Sequence, residues 1–186
     1  MSSFGAIGAR LYAWFNRHPE SNRAVVDLAE LRAGEPVLEV GCGPGVALEL
    51  AARIAGAEQV AAVEPSETFV AMARKRVPGA DVRVAGAEDV PFADGSFAVI
   101  YTLASMHHWD DRDAGLATLC AKLRPGGRLV LAERLLDKPG HGITRAQIGD
   151  VTARLTALGQ TGLRTEQRRV GRKTLVAVIS ERPLAA

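Results

Sequence analysis

Val37-Leu38-Glu39-Val40-Gly41-Cys42-Gly43-Pro44-Gly45, residues 37–45, is the stretch on which the fold turns. VLEV, apolar but for one acid, reads as a short strand. Val46 to Ala55 then carries a helical pattern, with Val46, Leu48, Leu50, Ala51 and Ile54 available for burial. Glycines between a strand and a helix let the backbone turn sharply and let a ligand approach without meeting a Cβ. The spacing is G-x-G-x-G, not the G-x-G-x-x-G that seats a pyrophosphate on a helix N-terminus. Glu39, beside the first glycine, would repel a pyrophosphate and suits a ligand with a positive charge. A tight turn with no ligand is the plainer alternative.

Outward from this turn the same alternation recurs. QVAAVE (59–64) reads as a second strand, with Ser66 as N-cap of a helix that turns Phe69, Val70, Met72 and Ala73 to the core before Pro78-Gly79 stops it. DVRV (81–84) alternates like a third strand. FAVIYT (97–102) is apolar enough for a central parallel strand buried on both faces. Asp111 or Asp113 can start a helix carrying Leu116, Leu119 and Leu123; Pro125-Gly126-Gly127 ends it, and RLVLAE (128–133) forms a fifth strand. Thr144 and Gln147 have capping-box spacing and open a helix to about Leu158. Arg164–Val170 and Thr174–Ser180 read as two strands joined through Gly171. Their connection is too short for a parallel crossover, so the pair is antiparallel. The expected fold is α/β, a doubly wound, Rossmann-like seven-stranded sheet, mostly parallel, with an antiparallel C-terminal hairpin. Ligands in such sheets bind beyond the carboxyl ends of the strands, where strand order reverses.

Composition sets the limits. The 186 residues are 47% hydrophobic and 24% charged, with a net charge of +2, which fits one folded domain and excludes disorder as the main state. No apolar run approaches the roughly 20 residues of a membrane span. The N-terminus has no basic start leading into an apolar stretch, so no secretory signal is read. Cys42 and Cys120 form no CxxC pair and no disulfide framework, which fits a reduced, cytoplasmic compartment. Residues 1–142 carry a charge of −3 and residues 143–186 carry +5. Five basic residues (Arg164, Arg168, Arg169, Arg172, Lys173) fall within ten positions. A solvated strand face or protected sheet edge explains them more simply than phosphate or nucleic-acid binding.

Glu64, at the end of strand two, can accept hydrogen bonds from both ribose hydroxyls of an adenosine; a helix-capping or surface acid is the alternative. Residues 86–97, GAEDVPFADGSF, form the loop after strand three, where the backbone of Ala87 and Glu88 could meet an adenine edge. His107 and His108 follow strand four at its carboxyl end. Adjacent residues point in different directions, so one of them, His107 by preference, is the candidate general base; both can equally be packing residues. His107-His108-Trp109-Asp110-Asp111 has poor geometry for a metal triad, and no distant histidine or acid is visibly paired with it, so no metal is expected. His18 and His141 stand alone.

In order, VLEVGCGPG, AVEPSE, GAEDVPFADGSFAVIYTLASMHHW and LRPGGRLVLAE resemble the class I S-adenosylmethionine-dependent methyltransferases, most closely the small-molecule branch of the methyltransferase type 11 kind. The motifs span about residues 35–135, and the hairpin extends the likeness to about 180. The resemblance implies methyl transfer from S-adenosylmethionine to a small-molecule acceptor. By it, Glu39, Gly41, Cys42 and Gly43 would surround the methionine part, Glu39 facing the ammonium directly or through water. Glu64 would bind the ribose, Pro65 and Ser66 would line the adenine, and Ala87 and Glu88 would hold its edge. Thr102 or Leu103 would supply backbone contacts near the methionine. Residues 35–180 would form the cofactor-binding core, and residues 1–34 a helical lid or substrate segment in which Tyr12, Trp14 and Phe15, with Trp109, either cover the site or dock the first helix. The partners implied are a small-molecule substrate and, possible in this fold, a second copy of the chain, with neither nucleic acid nor membrane. The sequence departs from the family pattern at Gly86 and Ala98, where Asp is usual. Those departures leave open a cofactor-binding protein without turnover. A nicotinamide-dependent oxidoreductase is a weaker alternative, lacking G-x-G-x-x-G and a Tyr-x-x-x-Lys pair.

Overall fold

The computed structural model describes residues 19–185. Helix α1 (Pro19–Ala29) precedes β1 (Val37–Val40), α2 (Val46–Ala55), β2 (Val60–Glu64), α3 (Glu67–Arg76), β3 (Asp81–Val84) and β4 (Phe97–Leu103). Then follow α4 (Arg112–Lys122), β5 (Leu123–Leu136), β6 (Ile143–Thr144), α5 (Arg145–Ala157), β7 (Thr161–Val170) and β8 (Lys173–Glu181). The sheet runs β3-β2-β1-β4-β5-β8-β7, with β6 pairing beside β5. Neighbours from β3 to β5 are parallel, and β8 pairs antiparallel with both β5 and β7. The seven strands expected are all present, and the two-residue β6 is an addition that no sequence pattern announces.

Side chains alternate across the sheet and so build two apolar layers. Val37, Ala62, Val99, Val130 and Ala177 face one layer with Val25, Ala29, Leu48, Ala51 and Val70 of α1, α2 and α3. Leu38, Val63, Ile100, Leu131 and Val178 face the other, covered by Leu116 and Leu119 of α4 and Val151 and Leu155 of α5. Because both faces are covered, β1, β2 and β4 are buried along their whole lengths. Arg128 ties α1 to this body, donating to the Ala29 carbonyl at 2.7 Å and pairing with Glu35 at 2.9 Å. The described part of the N-terminal segment is thus docked on the sheet; Tyr12, Trp14, Phe15 and His18 lie outside the described residues.

The caps form as their chemistry dictates. Ser66 accepts from the Phe69 amide, Asp111 from the Ala114 amide, and Thr144 and Gln147 complete a capping box. Two expectations shift. Helix α4 stops at Lys122, before the Pro-Gly-Gly, and Leu123 already pairs with Phe97, so β5 is 14 residues long. Ile54 is exposed and Met72 only half buried, because α2 and α3 bury narrower stripes than their apolar residues allow. The basic cluster begins on β7, the edge of the sheet, where Arg164 and Arg168 both pair with Glu166.

Candidate functional site

Strand order reverses between β1 and β4: the chain leaves β1 towards β2 and β3, then returns to the other side for β4. The crevice beyond the carboxyl ends of these two strands is where a doubly wound sheet binds its ligand. Glu39 and Tyr101 are register partners across this pair, and the Tyr101 hydroxyl donates to Glu39 Oε2 at 3.0 Å. Both are buried. Burial, with the Glu64 carboxylate adding repulsion, pushes the Glu39 carboxyl up to about 8 despite the Tyr101 hydrogen bond. No cation contacts Glu39 among the described residues.

The glycine turn is held by β2. The amides of Gly41 and Cys42 donate to the Val63 carbonyl, and the Gly43 amide donates to Glu64 Oε2 at 3.0 Å. The other carboxylate oxygen of Glu64 accepts from the Ser66 amide at 3.1 Å. Glu64 therefore braces the turn against the start of α3, and burial raises its pKa above the ordinary carboxyl value. The Cys42 thiol lies beneath the turn, raised well above its usual pKa by burial and by the Glu39 and Glu64 carboxylates. Pro65 is exposed beside Ser66. Gly41 sits at φ +75°, and a Cβ on it would overlap Ser105 Oγ and come within 2.6 Å of Ser105 Cβ. The turn and the segment after β4 are in van der Waals contact there, which only glycine permits.

The loop after β3 departs from expectation in an informative way. Ala87 is buried. Glu88 bends back, accepting from the Asp111 amide at 3.1 Å, and its other oxygen lies 2.8 Å from where a Cβ on residue 86 would stand. The Glu88 carboxylate thus fills the place of a side chain at Gly86. Ala98 is buried in the core layer beside Val99, where an ionised carboxylate would be costly.

After β4 the chain makes a strained turn, with Ala104 at φ +51°. Thr102 is buried and its hydroxyl has no hydrogen-bond partner among the described residues. Leu103 is buried at the strand end. Ser105 Oγ accepts from the Trp109 indole at 3.1 Å, and the same ring packs on Gly115, so Trp109 is docked against its own loop and α4. His107 Nδ1 lies 2.9 and 3.1 Å from the two oxygens of Glu133, whose Oε1 also accepts from the His107 amide at 3.3 Å. Glu133 is 1% exposed, His107 half buried, and His108 exposed. The His108 ring lies tilted by 43° against His107 with centroids 4.0 Å apart; burial and the neighbouring imidazoles lower its pKa.

Two residues were not legible as parts of this cluster. Glu133 ends LVLAE, and an acid at the carboxyl end of a buried strand carries the same signal as Glu64 does. His141, expected to stand alone, is brought to 5.6 and 5.8 Å from His107 and His108. Its place follows from the β5–β6 return, which has no sequence signature.

Half of the chain, residues 38–131, matches the model of the methyltransferase domain family, and the chain belongs to that family. It is similar to a 27-O-demethylrifamycin SV methyltransferase of Amycolatopsis mediterranei, 40% identical over 114 residues, covering 57% of this chain and 41% of the relative. The chain spans about two fifths of the length of such curated relatives. A SAM-dependent methyltransferase structure from Aquifex aeolicus superposes with a TM-score of 0.69 at 20% identity, covering 86% of this chain and 88% of that one. Haemonchus contortus phosphoethanolamine N-methyltransferase 2, solved with S-adenosyl-L-methionine, gives 0.73 at 15%, covering 88% and 52%. The fold is therefore that of these methyltransferases.

Proposed function

We propose that the chain binds S-adenosylmethionine in the β1/β4 crevice and transfers its methyl group to a hydroxyl of a small molecule. The observation that carries this reading is the pair of buried carboxylates, Glu39 and Glu64, on either side of a glycine turn at the switch point. Their chemistry fits the cofactor. Glu39, raised towards neutrality with no cation beside it among the described residues, is a natural partner for an ammonium group. Glu64 keeps lone pairs beyond the two amides it accepts from, enough for ribose hydroxyls. Gly41, Cys42 and Gly43 present backbone close to the ligand, Thr102 offers an unpartnered hydroxyl, and Leu103 ends the strand beside it. Pro65 and Ser66 would line the adenine, while Ala87 and Glu88 would meet its edge, the Glu88 carboxylate standing where the family's Asp would project.

The cofactor supplies an activated methyl group on a sulfonium. What the chain must do is hold the acceptor in line, which proximity and orientation achieve. It must also take the hydroxyl proton. His107 is suited to that: with Nδ1 held by Glu133, Nε2 is left to accept the proton, and the buried carboxylate stabilises the imidazolium that forms. Glu133 is thereby a positioning residue. The O-methyl activity in the names of the rifamycin relative and two fungal relatives favours an oxygen acceptor here. Two buried free thiols suit a reducing compartment such as the cytoplasm. Calorimetry with S-adenosylhomocysteine tests the cofactor, and transfer of a labelled methyl group to a panel of hydroxylated small molecules tests the acceptor. Absence of binding at high micromolar concentration would overturn the reading.

A further inference from the structure

We propose that His107, His108 and His141 form a binding site for a divalent transition-metal ion of the zinc class, with Glu133 orienting His107. The three side chains offer ligand atoms that all lie within 4.8 Å of one another. Three imidazoles are a donor set suited to zinc and its neighbours, not to calcium or magnesium. In a tetrahedral site with Zn–N bonds near 2.0–2.1 Å the nitrogens stand about 3.3 Å apart. His108 and His141, which must move to close the remaining gap, are both exposed.

Glu133 is the second observation pointing to a ligand. Metal-binding histidines almost always give their other ring nitrogen to a carboxylate or carbonyl, which fixes ring orientation and raises ligand basicity. His107 has that arrangement already, Nδ1 on a buried Glu133 and Nε2 left over. His141 is not placed by chance on a loose loop. The return from β5 is closed by pairing of Leu135 with Ile143 and Leu136 with Thr144 and by the Gly142 amide donating to Gly140. Gly142 lies at φ +153°, with no room for a Cβ against the Arg134 carbonyl. A short, glycine-tightened return to a parallel bridge thus presents His141 to the turn of Met106–His108. Exposure of His108 and His141 gives an ion its route in.

Three protein ligands leave a fourth position for water or a substrate oxygen. An ion here would occupy His107 Nε2, so metal loading and proton acceptance by His107 exclude one another. The site does not depend on the methyl-transfer reading, and its test is read without turnover. Tag-free, metal-stripped full chain is titrated with Co2+ and followed by visible absorption, then by displacement with Zn2+. One equivalent should develop the intense d–d bands of four- or five-coordinate cobalt and be displaced by one equivalent of zinc. His141→Ala, a change at an exposed loop residue, should abolish those bands while thermal melting is unchanged. Glu133→Gln should weaken Zn2+ binding about 10–100-fold. Weak octahedral bands in the wild type, or tight binding that survives His141→Ala, would overturn the assignment.

Discussion

Tyr101 and Glu39 face each other across β1 and β4, and the phenol donates to the carboxylate at 3.0 Å in an environment sealed from water. The ligand-free chain therefore favours a protonated Glu39. Below pH 4.5 folded and unfolded chains both carry this proton; between 4.5 and about 8 only the folded chain does. The folded state then binds the extra proton, so stability falls as pH rises across that window, by up to about 1.4 kcal/mol per pH unit. Glu64, raised in the same direction, adds to the slope. Asp81, exposed, and Glu49, half buried, are both lowered and act the other way at acid pH. Urea unfolding from pH 5 to 8 should show Glu39→Gln with a flatter profile than wild type, and parallel profiles would refute the assignment.

Gly41 and Ser105 touch so closely that the turn has no room for a methyl group. Gly41→Ala should cost about 1–3 kcal/mol from its positive φ alone, with the overlap adding to that. Adding Ser105→Gly should restore part of the lost melting temperature, because it removes the overlap but not the dihedral strain. Differential scanning calorimetry of the three variants checks this; no recovery in the double variant would mean that the clash is not with Ser105.

The seven strands, the helices between them and three caps were legible because each rests on local chemistry. VLEV before GCGPG, Asp111 three residues before Ala114 and Thr144 three before Gln147 all act within a few residues of themselves. That Glu39 and Glu64 lie near strand ends beside the glycine turn was legible because each belongs to a short apolar strand that runs into a turn. What escaped depends on contacts distant in the chain. Glu88 turning onto Asp111, His141 returning beside His107, and Glu133 lying under His107 are set by how loops pack. No period or motif encodes such packing. Even the end of α4 is tertiary: Leu123 leaves the helix to pair with Phe97.

Glu64 braces the glycine turn and, on the proposed reading, also binds the ribose, and substitution can separate the two. Glu64→Ala leaves the Gly43 and Ser66 amides without their acceptor, and hydrogen bonds to a charged group contribute about 1.5–3 kcal/mol each. The melting temperature and the affinity for S-adenosylhomocysteine should both drop, the latter at least tenfold. Glu64→Gln keeps one acceptor oxygen and should melt closer to wild type, yet still bind the product more weakly, because an amide cannot accept from two hydroxyls while bracing the turn. Wild-type affinity in either variant, measured calorimetrically, would remove Glu64 from the ribose site.

His107 and Glu133 separate chemistry from positioning. If His107 accepts the proton, His107→Ala should lower kcat by about 10²–10⁴-fold while S-adenosylhomocysteine binds as before, since neither Glu39 nor Glu64 is touched. Glu133→Gln leaves an oxygen that can still accept from Nδ1 but no charge to stabilise the imidazolium. Its kcat should fall less, about tenfold for the loss of one charge-assisted hydrogen bond, with KM for the acceptor little changed. His108, whose ring has no carboxylate hydrogen bond among the described residues, should be dispensable, so His108→Ala should retain most of the wild-type kcat. These rates are measured with metal chelated, so that Nε2 of His107 is free. Wild-type turnover in His107→Ala would eliminate the base, and a rise in KM alone would make His107 a substrate contact instead.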